Sequence, residues 1–358
     1  MKRQLLGVAA ILLSISTYAQ DNPLWMRYCA ISPDGTTIAF TYKGDIYTVP
    51  STGGRASQIT TNPAHDTKPI WSPDGKKIAF ASDRMGSMDI FEVNKEGGIP
   101  KRLTTHSGNE TPVAYKDAGH ILFLANIMPT AEDAQFPSGQ FQQVYEVNTE
   151  GGRPILFSSM PMEDISINHT GNTLLYHDKK GYEDPWRKHH TSSITRDIWL
   201  CSLNGNRTFR KQTAFNGEDR TPVWASDDKS FYYLSEEKGS FNIFKRDIDG
   251  NTSKQITNHT KHPVRFLSAA SNGTLCYGYD GEIYTVKEGA IPQKVQISIV
   301  TDKNDKDLIR QIKRSGATEI SLSPDAKEIA FVLRGDVYVT SCLLYTSPSP
   351  RDRSLSRM

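Results

Sequence analysis

The sequence predicts an all-β protein, a six-bladed β-propeller of four-stranded blades followed by the start of a second propeller. Three observations carry this expectation. The first is a turn cassette: "SPDG" stands at 32–35 and again at 72–75, inside "ISPDGTTIAFTYKGDIYTV" and "WSPDGKKIAFASDRMGSMDIFEV", and a degenerate copy, "LSPDAKEIAFVLRGDVYV", begins at Leu322. The second is a recurring triplet of an acidic or amide residue, then Ile or Val, then an aromatic. It appears as Asp45-Ile46-Tyr47, Asp89-Ile90-Phe91, Asp197-Ile198-Trp199, Asn242-Ile243-Phe244, Glu282-Ile283-Tyr284 and Asp336-Val337-Tyr338, with a looser Gln143-Val144-Tyr145 filling the one large gap. The third is the period, about 40 to 55 residues, which suits one four-stranded blade per repeat.

Each unit follows one physical plan. An apolar strand ends at Pro-Asp-Gly, where Pro presets φ, Asp bonds its own backbone and Gly takes a positive φ. The chain reverses into an "IAF"-type second strand, and a polar loop leads to the "DIY" strand. A Gly-Gly turn (53–54, 97–98, 151–152) then opens a closing strand such as Gln58-Ile59-Thr60 or Gln255-Ile256-Thr257. The units run from 27 to 61, 67 to 105, 111 to 158, 164 to 214, 220 to 258 and 264 to 299. Units one and six each hold four strands of their own, so closure is expected by packing of blade one on blade six, with no strand shared between them. The ring therefore occupies 23–300, and a charged linker, 301–316, precedes a restart of the pattern at 317–341. That restart reads as the first, partial blade of a second propeller, with a seventh blade of the same ring as the alternative. Residues 342–358, "CLLYTSPSPRDRSLSRM", abandon the alternation and read as a non-native tail resembling translated adapter sequence.

Composition narrows the function classes. The formal net charge is only +2 and the basic residues are mixed with acidic ones, which excludes the electrostatic footprint of a nucleic-acid binder. Residues 1–20 read as a secretory signal peptide: Lys2 and Arg3 precede an apolar run from Leu5 to about Ile15, with a cut after Ala19 or Gln20. The run is shorter than the roughly 20 residues that span a bilayer. The expected location is periplasmic or secreted, with no membrane span after cleavage. The four cysteines, Cys29, Cys201, Cys276 and Cys342, are widely spaced without CxxC, against a zinc site or a dense disulfide framework. Three of them sit in apolar alternations as small buried hydrophobes.

Function is sought where loops exceed the template. Unit three inserts "NIMPTAEDAQFPSGQFQQ" and unit four "HDKKGYEDPWRKHHTSSITR", both between second and third strands and hence on one face of the disc. The second insertion concentrates Trp186, Arg187, Lys188, His189 and His190, a mixture suited to gripping peptide backbone, carboxylates or aromatic groups. Trp186, Arg187, His189 and His190 are the candidate substrate-binding residues; a loop that packs Trp186 on the blade and solvates its charges is the plainer alternative. An extended segment points adjacent histidines apart, against a metal site, and HExxH is absent. GxSxG, the P-loop and GxGxxG are absent as well, so no catalytic residue, metal or cofactor is nominated.

The repeats "ISPDGTTIAFTYKGDIYTVPSTGGRASQIT" and "IWSPDGKKIAFASDRMGSMDIFEVNKEGGIPKRLT", the loop "GYEDPWRKHHTSSITRDIW" and the restart "ISLSPDAKEIAFVLRGDVYVTS" resemble the amino-terminal part of tricorn-type proteases, over about residues 23 to 341. The resemblance implies a six-bladed propeller, a second propeller, then a PDZ domain and a serine-peptidase core related to carboxy-terminal processing proteases. It also implies that the propellers gate and channel peptides while distant domains cut them. The partners so implied are peptides or protein substrates, with a homo-oligomer as a further option. No position here matches the catalytic motifs of that family, so none of its catalytic residues is carried over. SPDG repeats are shared with the Tol-system propeller protein and with prolyl-oligopeptidase relatives. A stand-alone periplasmic binding propeller and the propeller of a prolyl-oligopeptidase-type enzyme are therefore the alternatives.

Overall fold

The computed structural model describes residues 23–127, 141–181, 192–300, 315–333 and 335–341, and the backbone of 356–357. Its described elements are all strands. Six antiparallel sheets of four strands, each in simple up-and-down order, succeed one another at 27–58, 66–102, 111–158, 162–211, 219–255 and 265–294.

The turn cassette is satisfied from within. Ser32 Oγ donates to Asp34 Oδ1 at 2.5 Å, the same oxygen accepts from the Thr36 N–H at 3.0 Å, and Gly35 takes φ +77°. Ser72 and Lys76 repeat both bonds to Asp74 at 2.7 and 3.1 Å. These bonds, the serine's foremost, hold the carboxyls of Asp34 and Asp74 below the usual carboxylate range. The cassette is a turn with its polar groups already engaged.

The aromatic triplets have an equally local cause. In every blade the triplet aromatic lies directly across the ladder from an aromatic of the second strand: Phe40 and Tyr47, Phe80 and Phe91, Phe123 and Tyr145, Tyr176 and Trp199, Tyr233 and Phe244, Tyr277 and Tyr284. Cross-strand aromatic pairs of this kind stabilise a sheet by up to about 1 kcal/mol each. The threonine that ends a unit serves the same strand. Thr60, Thr104, Thr213 and Thr257 accept through Oγ1 from the N–H groups of Ile46, Ile90, Ile198 and Ile243 at 2.9 to 3.0 Å.

The core is a ring of six apolar clusters, one in each gap between neighbouring blades. Alternation along the second strand feeds two of them: Ala39 faces blade two, while Ile38 and Phe40 face blade six. Tryptophans register adjacent blades, with Trp71 Nε1 donating to Ala30 O at 2.8 Å and Trp224 Nε1 to Ser166 O at 3.0 Å. Buried carboxyls also meet at these gaps. Burial, with Asp66 opposite, pushes Asp45 up to about 7, and burial does the same to Glu110 and Asp219.

Closure differs from the expectation of packing alone. Met26, Ile38 and Phe40 of blade one do pack with Cys276, Ile283 and Val295 of blade six. In addition, Ile297–Ser298, just past blade six, pairs in parallel with Gly54–Arg55 of blade one, through Gly54 N to Gln296 O at 2.8 Å and Ala56 N to Ser298 O at 2.9 Å. Two residues of parallel pairing are too short to leave a periodic sequence signal.

Ala317–Leu322, Glu328–Leu333 and Asp336–Ser341 form a further antiparallel sheet, to which Ser356–Arg357 adds a short fourth strand. Its first strand is exposed throughout, and Leu322 is 61% accessible where the corresponding Ile31 is 4%. Ala326 occupies, at φ +54°, the turn position that Gly35 and Gly75 hold in blades one and two.

Candidate functional site

The innermost strand of each blade has only one strand neighbour in its sheet, so six strand edges without a second ladder partner surround the ring axis. They enclose a cavity of about 550 Å³ lined by residues from all six blades. Every one of these strands carries a bulge, at 27–30, 67–70, 112–114, 163–166, 220–223 and 265–268. In five of them the bulged residue is a left-handed non-glycine: Tyr28, Lys68, Asp164, Thr221 and Phe266, with φ between +48° and +57°. All five side chains line the channel. Bulges of this kind re-aim a side chain, and such backbone outliers concentrate at sites where the surrounding structure over-determines them.

The lining mixes apolar and charged groups. Five cations, Lys68, Lys179, Arg196, Arg220 and Arg265, face two carboxylates, Glu163 and Asp164, and Glu218 stands behind the wall. The side of blades four and five is a continuous network. Arg196 Nη1 lies 2.7 Å from Glu218 Oε1 and its Nε lies 3.5 Å from Glu163 Oε2, while Arg220 Nη1 lies 3.6 Å from Glu218 and its guanidinium 4.1 Å from the centre of the Phe241 ring. Lys179 Nζ meets Glu163 Oε1 at 2.7 Å. Burial disfavours the charged form of Glu163, but the hydrogen bond from His177 and the neighbouring Lys179 outweigh it and hold the carboxyl well below its usual range. Burial acts against the charge of Arg196 too, yet Glu218 and Glu163 raise its pKa, whereas burial lowers that of Arg220.

His177 is locked into this wall. The Thr221 N–H points at its Nδ1 at 3.3 Å, and its Nε2 lies 3.3 Å from Glu163 Oε2. Thr221 Oγ1 in turn donates to Asp164 at 2.6 Å. The ring thus engages backbone and carboxylate rather than an activated hydroxyl, and nothing in this network forms a nucleophile and base pair. Glu163 and Glu218 are matched by guanidinium and ammonium groups and Asp164 accepts from the Thr221 hydroxyl, and among the described residues no group of His, Cys, Asp and Glu is arranged to hold a metal ion. Across the axis, Lys68 Nζ lies 5.7 Å from the centre of the Tyr28 ring, and Tyr28 contacts Phe266 at 4.8 Å between ring centres. The channel therefore offers cationic charge, aromatic faces and strand edges, the groups that hold an extended chain carrying a carboxylate.

A family model described as the tricorn protease N-terminal beta propeller domain matches residues 23–290. The chain belongs to the tricorn N-terminal propeller family. Tricorn protease homolog 1 of Streptomyces coelicolor is 25% identical over 281 residues, covering 77% of this chain and 25% of that protein. The tricorn protease homolog of Saccharolobus solfataricus is 27% identical over 295 residues, covering 78% and 26%. Among solved structures, the tricorn protease superposes with a TM-score of 0.67 at 21% identity, over 89% of this chain and 30% of that one, a likeness of fold. The chain spans about a quarter of the length of the curated tricorn relatives it matches.

Trp186, Arg187, His189 and His190 lie outside the described residues, as do residues 1–20, expected to be a signal peptide, and most of the insertion in blade three. Sequence reasoning missed the channel, although the tricorn propeller's inner strands carried a signal. "TKPIW", "TPVAY" and "RTPVW" each place a proline (Pro69, Pro112, Pro222) inside an apolar strand, and proline is tolerated only on a strand edge or at a bulge.

Proposed function

We propose that this chain is the propeller portion of an exported tricorn-type serine peptidase, and that its axial channel admits extended peptides on their way to or from a catalytic domain outside these residues. The observation that carries the reading is the channel lining, in which bulged inner strands present cations and aromatic faces around one axis. The sheet at 317–341 supports a further propeller: its exposed Ile320 and Leu322 are of the kind that the next blade covers in the ring. The reading assigns no peptide hydrolysis to these 358 residues themselves.

The test is peptide binding by the full chain, followed through a fluorophore on short acidic peptides and on their carboxy-terminal amides. Lys68→Glu combined with Arg265→Glu should weaken the acidic peptides by about tenfold or more, the effect of reversing charge in a low-dielectric cleft. Unchanged affinity would remove the channel as the binding site. Trp186→Ala with Arg187→Ala, compared side by side, reports whether the insertion loop shares the task. Export is read separately, from the amino-terminal residue of protein recovered from the cell envelope fraction. A start at Met1 there would refute signal cleavage.

A further inference from the structure

We propose that Cys29 and Cys276 are joined by a disulfide that staples blade one to blade six across the ring closure. Cys29 lies on the inner strand of blade one and Cys276 on the second strand of blade six, yet both belong to the one apolar cluster that fills the closing gap. Both are free, buried thiols in the structure, and Cys29 adds to the upward shift that burial begins on the Cys276 thiol. A single hydroxyl, Ser268 Oγ, lies 3.4 Å from the carbonyl oxygens of both cysteines and also accepts from the Ile31 N–H at 3.0 Å, which fixes the two backbones against one another. Cys29 Sγ further contacts Phe266 O at 3.4 Å. The other described cysteine, Cys201, is buried in the cluster between blades three and four, remote from this seam.

The chemistry is a thiol–disulfide exchange with a small disulfide or a disulfide oxidoreductase as oxidant. One cysteine, as thiolate, attacks a sulfur of the oxidant's disulfide, forming a mixed disulfide and releasing one oxidant thiolate. The second cysteine displaces the remaining oxidant sulfur, the Cys29–Cys276 bond forms, and the two protons lost by the cysteines pass to the two oxidant thiolates. The protein pair loses two electrons and the oxidant gains them. Both cysteines are buried, at 4% and 0% exposure, and burial raises the Cys276 thiol well above its usual range. Exchange is therefore slow in the closed ring and proceeds while the seam is still open, during folding. Pairing depends on the geometry of the seam; the export reading bears only on which compartment supplies the oxidant.

The experiment refolds the full chain with oxidised and reduced glutathione, then blocks free thiols under denaturing conditions and digests without reductant. Expected are a disulfide-linked peptide pair containing Cys29 and Cys276, two remaining titratable thiols out of four, and a Tm above that of reduced protein by about 5–10 °C for so long a closed loop. The redox-dependent difference in Tm should vanish in Cys29→Ala and in Cys276→Ala and persist in Cys201→Ala. Recovery of both peptides as blocked free thiols, a different pairing, or identical Tm values in the two redox states would overturn the proposal. Because the peptide map is read on the wild-type chain, a variant that fails to fold leaves the test intact.

Discussion

Gly53→Ala isolates the backbone clasp that closes the ring. Gly53 has φ +92°, and a Cβ placed there would stand 2.7 Å from the backbone carbonyl oxygen of Gln296, a group that cannot swing aside. Blade two supplies the control: Gly97 occupies the same turn at φ +95°, and its Cβ would meet its nearest neighbour, Ile59 O, at an ordinary 3.7 Å. Both substitutions incur the cost of a left-handed alanine, about 1–2 kcal/mol. Only Gly53→Ala also pushes Gln296–Ser298 away, breaking the bonds from Gly54 N and Ala56 N, at about 1 kcal/mol each. Gly53→Ala should therefore lose about 2 kcal/mol more than Gly97→Ala, some 4–8 °C of Tm at the few degrees per kcal/mol usual for a chain of this size. The assay is thermal and urea unfolding of both variants and the wild type, all kept reduced. Equal losses would show that the parallel pair contributes nothing, and that closure rests on the apolar cluster.

Two further outcomes follow from buried charge. Asp45, Glu110 and Asp219 have folded-state values of about 7, above the ordinary 3.8 and 4.5. A raised carboxyl contributes its stability fully below the unfolded value and loses it as pH rises toward 7, because the unfolded chain then releases protons that the folded chain still holds. The urea midpoint should fall by a few tenths of a molar or more between pH 5 and pH 8, and Asp219→Asn should flatten that slope; a flat profile in the wild type would refute the raised values. Glu218, with a side chain 2% accessible, neutralises both Arg196 and Arg220. Glu218→Ala leaves two buried guanidinium groups short of a partner and should cost about 3 kcal/mol in urea unfolding, and a loss under about 1 kcal/mol would mean that water already screens this wall.

What was legible in the sequence is what each blade does for itself. Phe40 and Tyr47, or Phe80 and Phe91, sit a short hairpin apart and meet by register alone, and Ser32-Pro33-Asp34-Gly35 closes through bonds within five residues. Such local features repeat, and repetition made the fold readable. The channel is a property of six strands meeting from far apart in the chain, so Lys68 and Arg265 look like ordinary surface charges until the ring places them on one axis. Pro69 and Pro222 were the available clue, since a proline within a strand marks an unpaired edge. Cys29 and Cys276 were read as small buried hydrophobes; their burial is as expected, but their juxtaposition depends on ring closure, which spacing does not encode.

The seam between blades one and six faces a problem that the other five gaps do not. Elsewhere a few residues of chain tether neighbouring blades, whereas here the connection runs through the whole ring, about 250 residues. Closing a loop of that length costs about 5 kcal/mol by the (3/2)RT ln n rule. Beyond the apolar cluster, the seam carries bonds from Met26 N to Gly281 O, Ile31 N to Ser268 Oγ, Gly54 N to Gln296 O, Ala56 N to Ser298 O, Ser271 N to Pro33 O and Asn272 Nδ2 to Asp34 O. At about 1 kcal/mol each, these six are of the same size as the entropic cost. The hydrogen-bonded closure thus roughly cancels the penalty of joining the ends, leaving the cluster to make this gap as stable as its neighbours. A covalent link at the same seam would act on the other side of that balance, by removing the open-chain freedom that the hydrogen bonds offset.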